Sequence, residues 1–173
     1  MDKIHDLLDE FRKSLNMTFY VKCFVDNPKY IKEIVEIIKR QEKHPFPEYG
    51  SWILTHIVKQ NADLIEPFKN ELIDVILIKQ NQSVLRNVVV VLRDLGISEY
   101  KETELLDRYI SFIKENSNKV ALQVNAMYCL IDYVKKYPEL KDEITSIIQL
   151  AAVEKSPAYT AGFKNFLKRI KKI

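Results

Sequence analysis

The sequence predicts an all-α protein, a right-handed α-solenoid of about five stacked antiparallel helix pairs that form a single domain over residues 1–173. The first observation is a pentapeptide of two apolar, one polar and two apolar residues that recurs at steps of 38, 37 and 38 residues. Its four copies are residues 34–38, 72–76, 109–113 and 147–151. A second register, in the other helix of each pair, is set by Trp52, Val88, Ala126 and Phe163. A lone helical hairpin cannot bury its apolar face, so this period favours pairs that stack on one another. By analogy with solenoids in general, we expect the second helices to line a concave groove.

The composition also favours helices over strands. The chain has 173 residues, of which 47% are hydrophobic, and this is enough for a sizeable core. It contains only three glycines, and neither Asn-Gly nor Asp-Gly occurs. Because those dipeptides are typical of tight β-hairpins, an all-α chain is the simplest interpretation.

The first 26 residues predict a shortened helix pair. Residues 2–15 place five apolar side chains on one stripe, namely Ile4, Leu7, Leu8, Phe11 and Leu15. Asp2 can cap the free amides at the start of this helix. Residues 17–26 are expected to form a second, shorter apolar helix.

Residues 27–62 predict the first full pair. Asn27 followed by Pro28 is a strong start signal, because Asn caps well and the missing N–H of proline costs nothing in the first turn. We expect this helix to end near Glu42, before the proline-rich joint at residues 44–47. The second helix is expected over about 48–61.

Three more pairs are predicted, over residues 63–97, 98–137 and 138–173. Their first helices are expected at about 66–80, 102–115 and 140–154, and their second helices at about 83–95, 119–136 and 157–172. Gly96 supplies the left-handed residue that ends a helix, and Ser156-Pro157 is a cap followed by proline, which is typical of a helix start.

Charge and cysteine usage identify no partner. The 27 basic and 24 acidic residues give a net charge of +3, below what a dedicated nucleic-acid-binding protein usually carries. Cys23 and Cys129 lie in apolar helical patterns without ligand spacing, which favours buried reduced thiols. The N-terminus lacks the layout of a signal peptide, and no apolar run approaches the roughly twenty residues that span a bilayer. We therefore expect a cytoplasmic protein.

Three segments carry a resemblance to a known class of repeat: Trp52-Ile53-Leu54-Thr55-His56-Ile57, residues 130–140, and Ser156-Pro157-Ala158-Tyr159. From Asn27 onward the chain resembles HEAT and armadillo-type repeats, and within them a small bacterial HEAT-like group. This resemblance implies a helical-repeat fold more securely than a function. Some members of the group carry the name adenylosuccinate lyase, but the Ser-Ser-x-Met-Pro-x-Lys-type catalytic signature of the true lyases has no counterpart in this sequence.

No sequence pattern indicates catalysis, a metal site or a cofactor. His5, His44 and His56 lie in different predicted elements, and none has the neighbours of a motif such as H-E-x-x-H. A Cys–His pair that meets only in space stays open. The sequence therefore predicts a protein that is not an enzyme and that holds no cofactor.

Candidate partner-binding residues lie on the predicted second helices. Trp52 is the only tryptophan, and it can either anchor a partner on an exposed face or pack between helix pairs. Arg86 and Arg93 are seven residues apart and lie on nearly the same helix face. Together with Lys59 one unit earlier and Lys135 one unit later, they form either a basic strip for an acidic peptide or a phosphate backbone, or a solvated surface balanced by Asp94 and Asp132. The predicted set is Trp52, Lys59, Arg86, Arg93 and Tyr128.

The last ten residues, 164–173, carry five positive charges and no acid, with apolar residues at helical spacing between them. Such a helix is either the polar outer face of a terminal cap or a basic surface for anionic membranes or nucleic acid.

Our leading hypothesis from the sequence is a non-catalytic scaffold that binds a protein or peptide in its groove. The alternative is a nucleic-acid-binding protein similar to the HEAT-like DNA alkylation-repair glycosylases, with Trp52 and either Asp94 or Asp132 on a thin basic strip. A third hypothesis, the lyase activity that the group name implies, would need residues from another chain. The partner and the oligomeric state stay open.

Overall fold

The computed structural model describes residues 3–152 and 156–173, and within these ranges the chain forms ten α-helices and no strand. The helices are α1 Lys3–Ser14, α2 Met17–Asp26, α3 Lys29–Lys39, α4 Phe46–Gln60, α5 Lys69–Leu77, α6 Gln82–Leu95, α7 Glu102–Lys114, α8 Val120–Lys136, α9 Lys141–Ala151 and α10 Pro157–Ile170. Short 3₁₀ turns precede α5 and α9. The predicted all-α class is therefore confirmed. By its internal contacts the chain divides into two compact units, Met1–Leu95 and Gly96–Ile173.

In the first unit, helices of the same kind pack on each other. The first helices α3 and α5 are in contact, and the second helices α4 and α6 share the most extensive interface of this unit. The short pair α1 and α2 packs against α4. The apolar positions of the first two pentapeptides fill the core: in residues 34–38 and 72–76, every residue except the central acid is buried. Burying one such side chain contributes about 1.5–3 kcal/mol, which is why this spacing determines the fold.

The second unit repeats this arrangement with α7 to α10. Helix α7 packs on α8 and α9, and α8 packs on α10. Gly162 allows a close approach of α10 to α8, because a Cβ atom added there would lie 2.8 Å from both methyl carbons of Val124. The fourth pentapeptide, residues 147–151, departs from the predicted core pattern, since only Ile148 is buried and Leu150 is 74% exposed.

The second register predicted equivalent core positions for four residues, and only two of them are fully buried. Val88 and Ala126 are fully buried, whereas Trp52 is 36% exposed and Phe163 is half-buried. The joint between α3 and α4 spans residues 40–45, and the joint between α5 and α6 spans only residues 78–81. The longer joint shifts the register of α4, so Trp52 does not take the core position of Val88.

Helix ends differ from the prediction at several points. Asn27 does not cap α3; its side-chain amide donates to Cys23 O at 2.9 Å and so closes α2 instead, and α3 has no side-chain cap. Helix α3 ends at Lys39, and α5 is shorter than predicted because residues 66–68 form a 3₁₀ turn. Gly96 has the predicted left-handed conformation, with φ of 78°.

One further predicted helix start is confirmed, and two predicted helix ends lie where the structure is not described. Ser156 caps α10 as expected, since its hydroxyl oxygen accepts from Tyr159 N at 3.4 Å. The predicted cap Asp2 and the predicted helix end Glu154 lie outside the described residues.

Candidate functional site

An exposed stripe runs along α4 and a similar one along α6. On α4 it consists of Trp52, His56 and Lys59, which are three to four residues apart and therefore lie on one side of the helix. On α6 the same spacing gives Arg86, Val90 and Arg93, all of them half-buried. We call these six residues the α4–α6 stripe.

A cavity of about 370 Å³ lies at one end of this stripe. Its lining comes from the joint before α4, from α4, from the joint before α6, and from the first two turns of α6. The lining residues are His44, Glu48, Tyr49, Trp52, Asn81, Ser83, Arg86 and Asn87. The structure thus brings Trp52 and Arg86, two of the predicted residues, to one site.

Arg86 is held in place by a buried amide. Its Nε and Nη2 atoms donate to Asn87 Oδ1 at 3.3 and 3.1 Å. Asn87 is only 5% exposed, and its Nδ2 donates to Ser51 Oγ at 3.0 Å and to Glu48 O at 3.4 Å. Ser51 is 1% exposed and donates to Glu48 O at 3.0 Å. The acceptor that orients the guanidinium is therefore fixed by bonds between α4 and α6.

Glu48 forms a second set of contacts at the cavity. Its Oε1 accepts from Asn81 Nδ2 at 3.2 Å and lies 3.0 Å from Nδ1 of His44. Its Oε2 is buried and has no hydrogen-bond partner among the described residues.

Aromatic rings form the other wall of the cavity. The ring centroid of Trp52 lies 5.5 Å from that of Phe11 and 6.2 Å from that of Tyr49. Phe11 is fully buried and connects α1 to these rings. Trp52 therefore packs against the core and also presents about a third of its surface to solvent.

The charges along the stripe are unequal. Burial lowers the pKa of His56 below its ordinary value, and the nearby Lys59 charge lowers it further, so this imidazole is neutral at pH 7. Arg93 forms an ion pair with Asp94 at 3.0 Å. Within the described residues no carboxylate lies within ion-pair distance of Arg86, although Glu48 lines the same cavity.

Tyr128, the fifth predicted residue, belongs to the second unit. Its hydroxyl is 3.5 Å from Asn165 Nδ2, and the guanidinium carbon of Arg169 lies 5.0 Å from its ring centroid. Through Asn165 and Arg169, the basic helix α10 thus contacts Tyr128 of α8. Lys164, Lys168 and Arg169 remain exposed there.

Sequence reasoning missed Asn87, Ser51 and Glu48. The signal that could have revealed them is polarity inside an apolar pattern, because Asn87 directly precedes the run of four valines in α6. Buried amides of this kind are usually hydrogen-bonded, and their partners are found only in the folded structure.

The described residues contain no group of three or more histidine, cysteine, aspartate or glutamate side chains that could hold a metal ion. Cys23 is half-buried and Cys129 is buried, and neither forms a disulfide bond within the described residues. None of the described helices has the length and apolar character needed to cross a membrane.

A family model described as a HEAT repeat domain matches residues 4–172 of the chain. No curated protein and no solved structure matches this chain.

Proposed function

Because the chain belongs to the HEAT repeat family, whose members commonly act as scaffolds in protein interactions, we propose that it is a non-catalytic scaffold that binds a protein or peptide at the cavity and α4–α6 stripe of its first unit. HEAT repeat proteins are generally not enzymes. The observation that carries the proposal is the pairing, in one cavity, of a partly exposed indole with a half-buried guanidinium that has no acidic partner among the described residues.

Both residue types are suited to binding proteins. Tryptophan and arginine are enriched among the residues that dominate interface energies, because each offers a large contact surface together with directional donors. The backing of Trp52 by Phe11 and of Arg86 by Asn87 fixes the two side chains before any partner arrives. Less conformational entropy is then lost on binding.

The charge distribution supports a protein partner more than a nucleic acid. Arg93 is paired with Asp94 in the first unit, and Lys135 is paired with Asp132 at 2.8 Å in the second. Binding to a phosphate backbone depends on the cations available to neutralise phosphates, and these two pairs reduce the uncompensated charge of the predicted strip. A DNA or RNA mobility shift at low salt would favour the nucleic-acid alternative.

The test is a quantitative capture experiment with the full chain. Wild type, Trp52→Ala and Arg86→Glu are immobilised and incubated with lysate, and the bound proteins are compared by mass spectrometry. We expect both substitutions to remove the same bound protein. The matched control is Lys32→Glu, a charge reversal of an exposed residue on α3 in the same unit, and it should retain that protein.

Circular dichroism must show that each variant is folded as wild type. If the bound proteins are the same for Trp52→Ala, Arg86→Glu and wild type, this face is not the binding site and the proposal fails.

A further inference from the structure

Among the described residues, the guanidinium of Arg86 has N–H donors that form no hydrogen bond. A guanidinium carries five N–H donors, and the bonds to Asn87 account for only two of its nitrogens. Asn87 is a neutral acceptor, so it orients Arg86 without cancelling its charge. A fork of this kind matches a carboxylate, which can accept two parallel hydrogen bonds.

Glu48 does not supply that carboxylate. Although it lines the cavity, it forms no ion pair with Arg86 among the described residues, and its Oε1 is engaged by His44 and Asn81. Its Oε2 is buried, so a ligand in the cavity cannot contact that atom. The charge of Arg86 is therefore available to an external acid.

The shape of the surface favours an elongated ligand over a small one. From Trp52 to Lys59 the stripe spans seven residues of α4, which is about 10 Å along the helix at 1.5 Å per residue. About three residues of extended chain cover that length at 3.3 Å each. The stripe offers an indole at one end and the exposed cation Lys59 at the other.

This inference rests on the function proposed above and specifies its ligand. We propose that the cavity of the first unit binds an acidic side chain of an extended peptide. The carboxylate pairs with Arg86, a neighbouring apolar side chain lies on the exposed part of the Trp52 ring, and the peptide continues along α4 toward Lys59.

The chain provides its own probe for the test. Trp52 is the only tryptophan, so the full protein labelled with ¹⁵N gives a single indole N–H resonance that reports on the cavity. The ligand is the blocked pentapeptide acetyl-Ala-Leu-Glu-Leu-Ala-amide, and the control ligand replaces its Glu by Gln, which has nearly the same shape but no charge. Losing a charge-assisted bond should weaken binding about tenfold or more.

Variants separate the role of Arg86 from general electrostatics. We expect Arg86→Gln to bind the Glu and Gln peptides equally. The control Lys32→Gln removes one positive charge from α3 and should keep the wild-type preference for the Glu peptide. The preference should also decline as salt increases.

Several results would overturn the inference. Equal binding of the two peptides by wild type, or an unchanged preference in Arg86→Gln, would show that no carboxylate pairs with Arg86. The same holds if neither peptide shifts the indole resonance, or if only a phosphodiester oligonucleotide does. None of these results decides the scaffold function, because the capture experiment tests that function with whole proteins and without assuming an acidic ligand.

Discussion

Asn87→Ala tests whether the buried side-chain amide of Asn87 stabilises the packing of α6 against α4. Asn87 is 5% exposed and reaches across to Ser51 Oγ at 3.0 Å and to Glu48 O at 3.4 Å. Truncation removes both bonds and also the acceptor for Arg86. The substitution therefore acts at the largest helix interface of the first unit.

The expected magnitude follows from these contacts. Loss of the 3.0 Å bond to Ser51 costs about 1 kcal/mol. The longer bond to Glu48 O adds little, since Ser51 still donates to that carbonyl at 3.0 Å. The small void left behind costs about another 1 kcal/mol. Alanine offsets about 0.5 kcal/mol through its higher helix propensity. The free energy of unfolding should fall by about 1.5 kcal/mol in total.

The assay is urea unfolding followed by the fluorescence of Trp52, which reports on the first unit alone. Asn70→Ala is the matched control, because Asn70 is exposed on α5 of the same unit and should change the free energy of unfolding by less than about 0.5 kcal/mol. If Asn87→Ala is as stable as Asn70→Ala, the bonds between α4 and α6 contribute nothing, and the argument that Asn87 fixes Arg86 fails with them.

Three further predictions concern other parts of the chain. Gly162→Ala should destabilise the protein by about 1 kcal/mol in thermal or urea unfolding, because the clash of its Cβ with Val124 outweighs the gain in helix propensity; a more stable variant would refute the close approach. Tyr159→Phe should cost about 1 kcal/mol, since the fully buried hydroxyl donates to Ile148 O at 3.1 Å, and no loss in urea unfolding would refute this. Burial lowers the pKa of His56 in the folded chain, so below about pH 6.5 the unfolded chain binds more protons than the folded one. The free energy of unfolding should therefore fall as the pH drops below about 6.5. His56→Gln should lack this part of the pH dependence when urea unfolding is measured at several pH values.

The fold was largely predictable because it depends on burial alone. Apolar residues at helical spacing must face a core, and the first two pentapeptides do so at every apolar position, whereas in the third Ile110 is only half-buried. Helix ends were less predictable, since they depend on which of several polar side chains reaches a free backbone group. Asn27 illustrates this, because the same residue could close α2 or open α3, and only the folded chain shows that it closes α2.

The candidate site was predictable only in part. Helical spacing placed Arg86 and Arg93 on one face, and the rarity of tryptophan drew attention to Trp52. The sequence could not show that Trp52 and Arg86 meet, because this depends on the register between α4 and α6. That register is set by the lengths of two joints, residues 40–45 and 78–81. Because the first joint is longer, the buried positions of α4 and α6 are not separated by the predicted spacing.

The same geometry limits how tightly the cavity can bind by itself. One charge-assisted hydrogen bond contributes about 1.5–3 kcal/mol, and contact with the exposed third of an indole adds about 1 kcal/mol. The sum of about 2.5–4 kcal/mol corresponds to a dissociation constant of about 1–15 mM. A pentapeptide should therefore bind weakly, and a physiological partner must contact more of the stripe than Trp52 and Arg86. Lys59 lies in the direction such a partner would extend, so lengthening the peptide toward it with a second acidic residue should tighten binding, whereas a second apolar residue there should not.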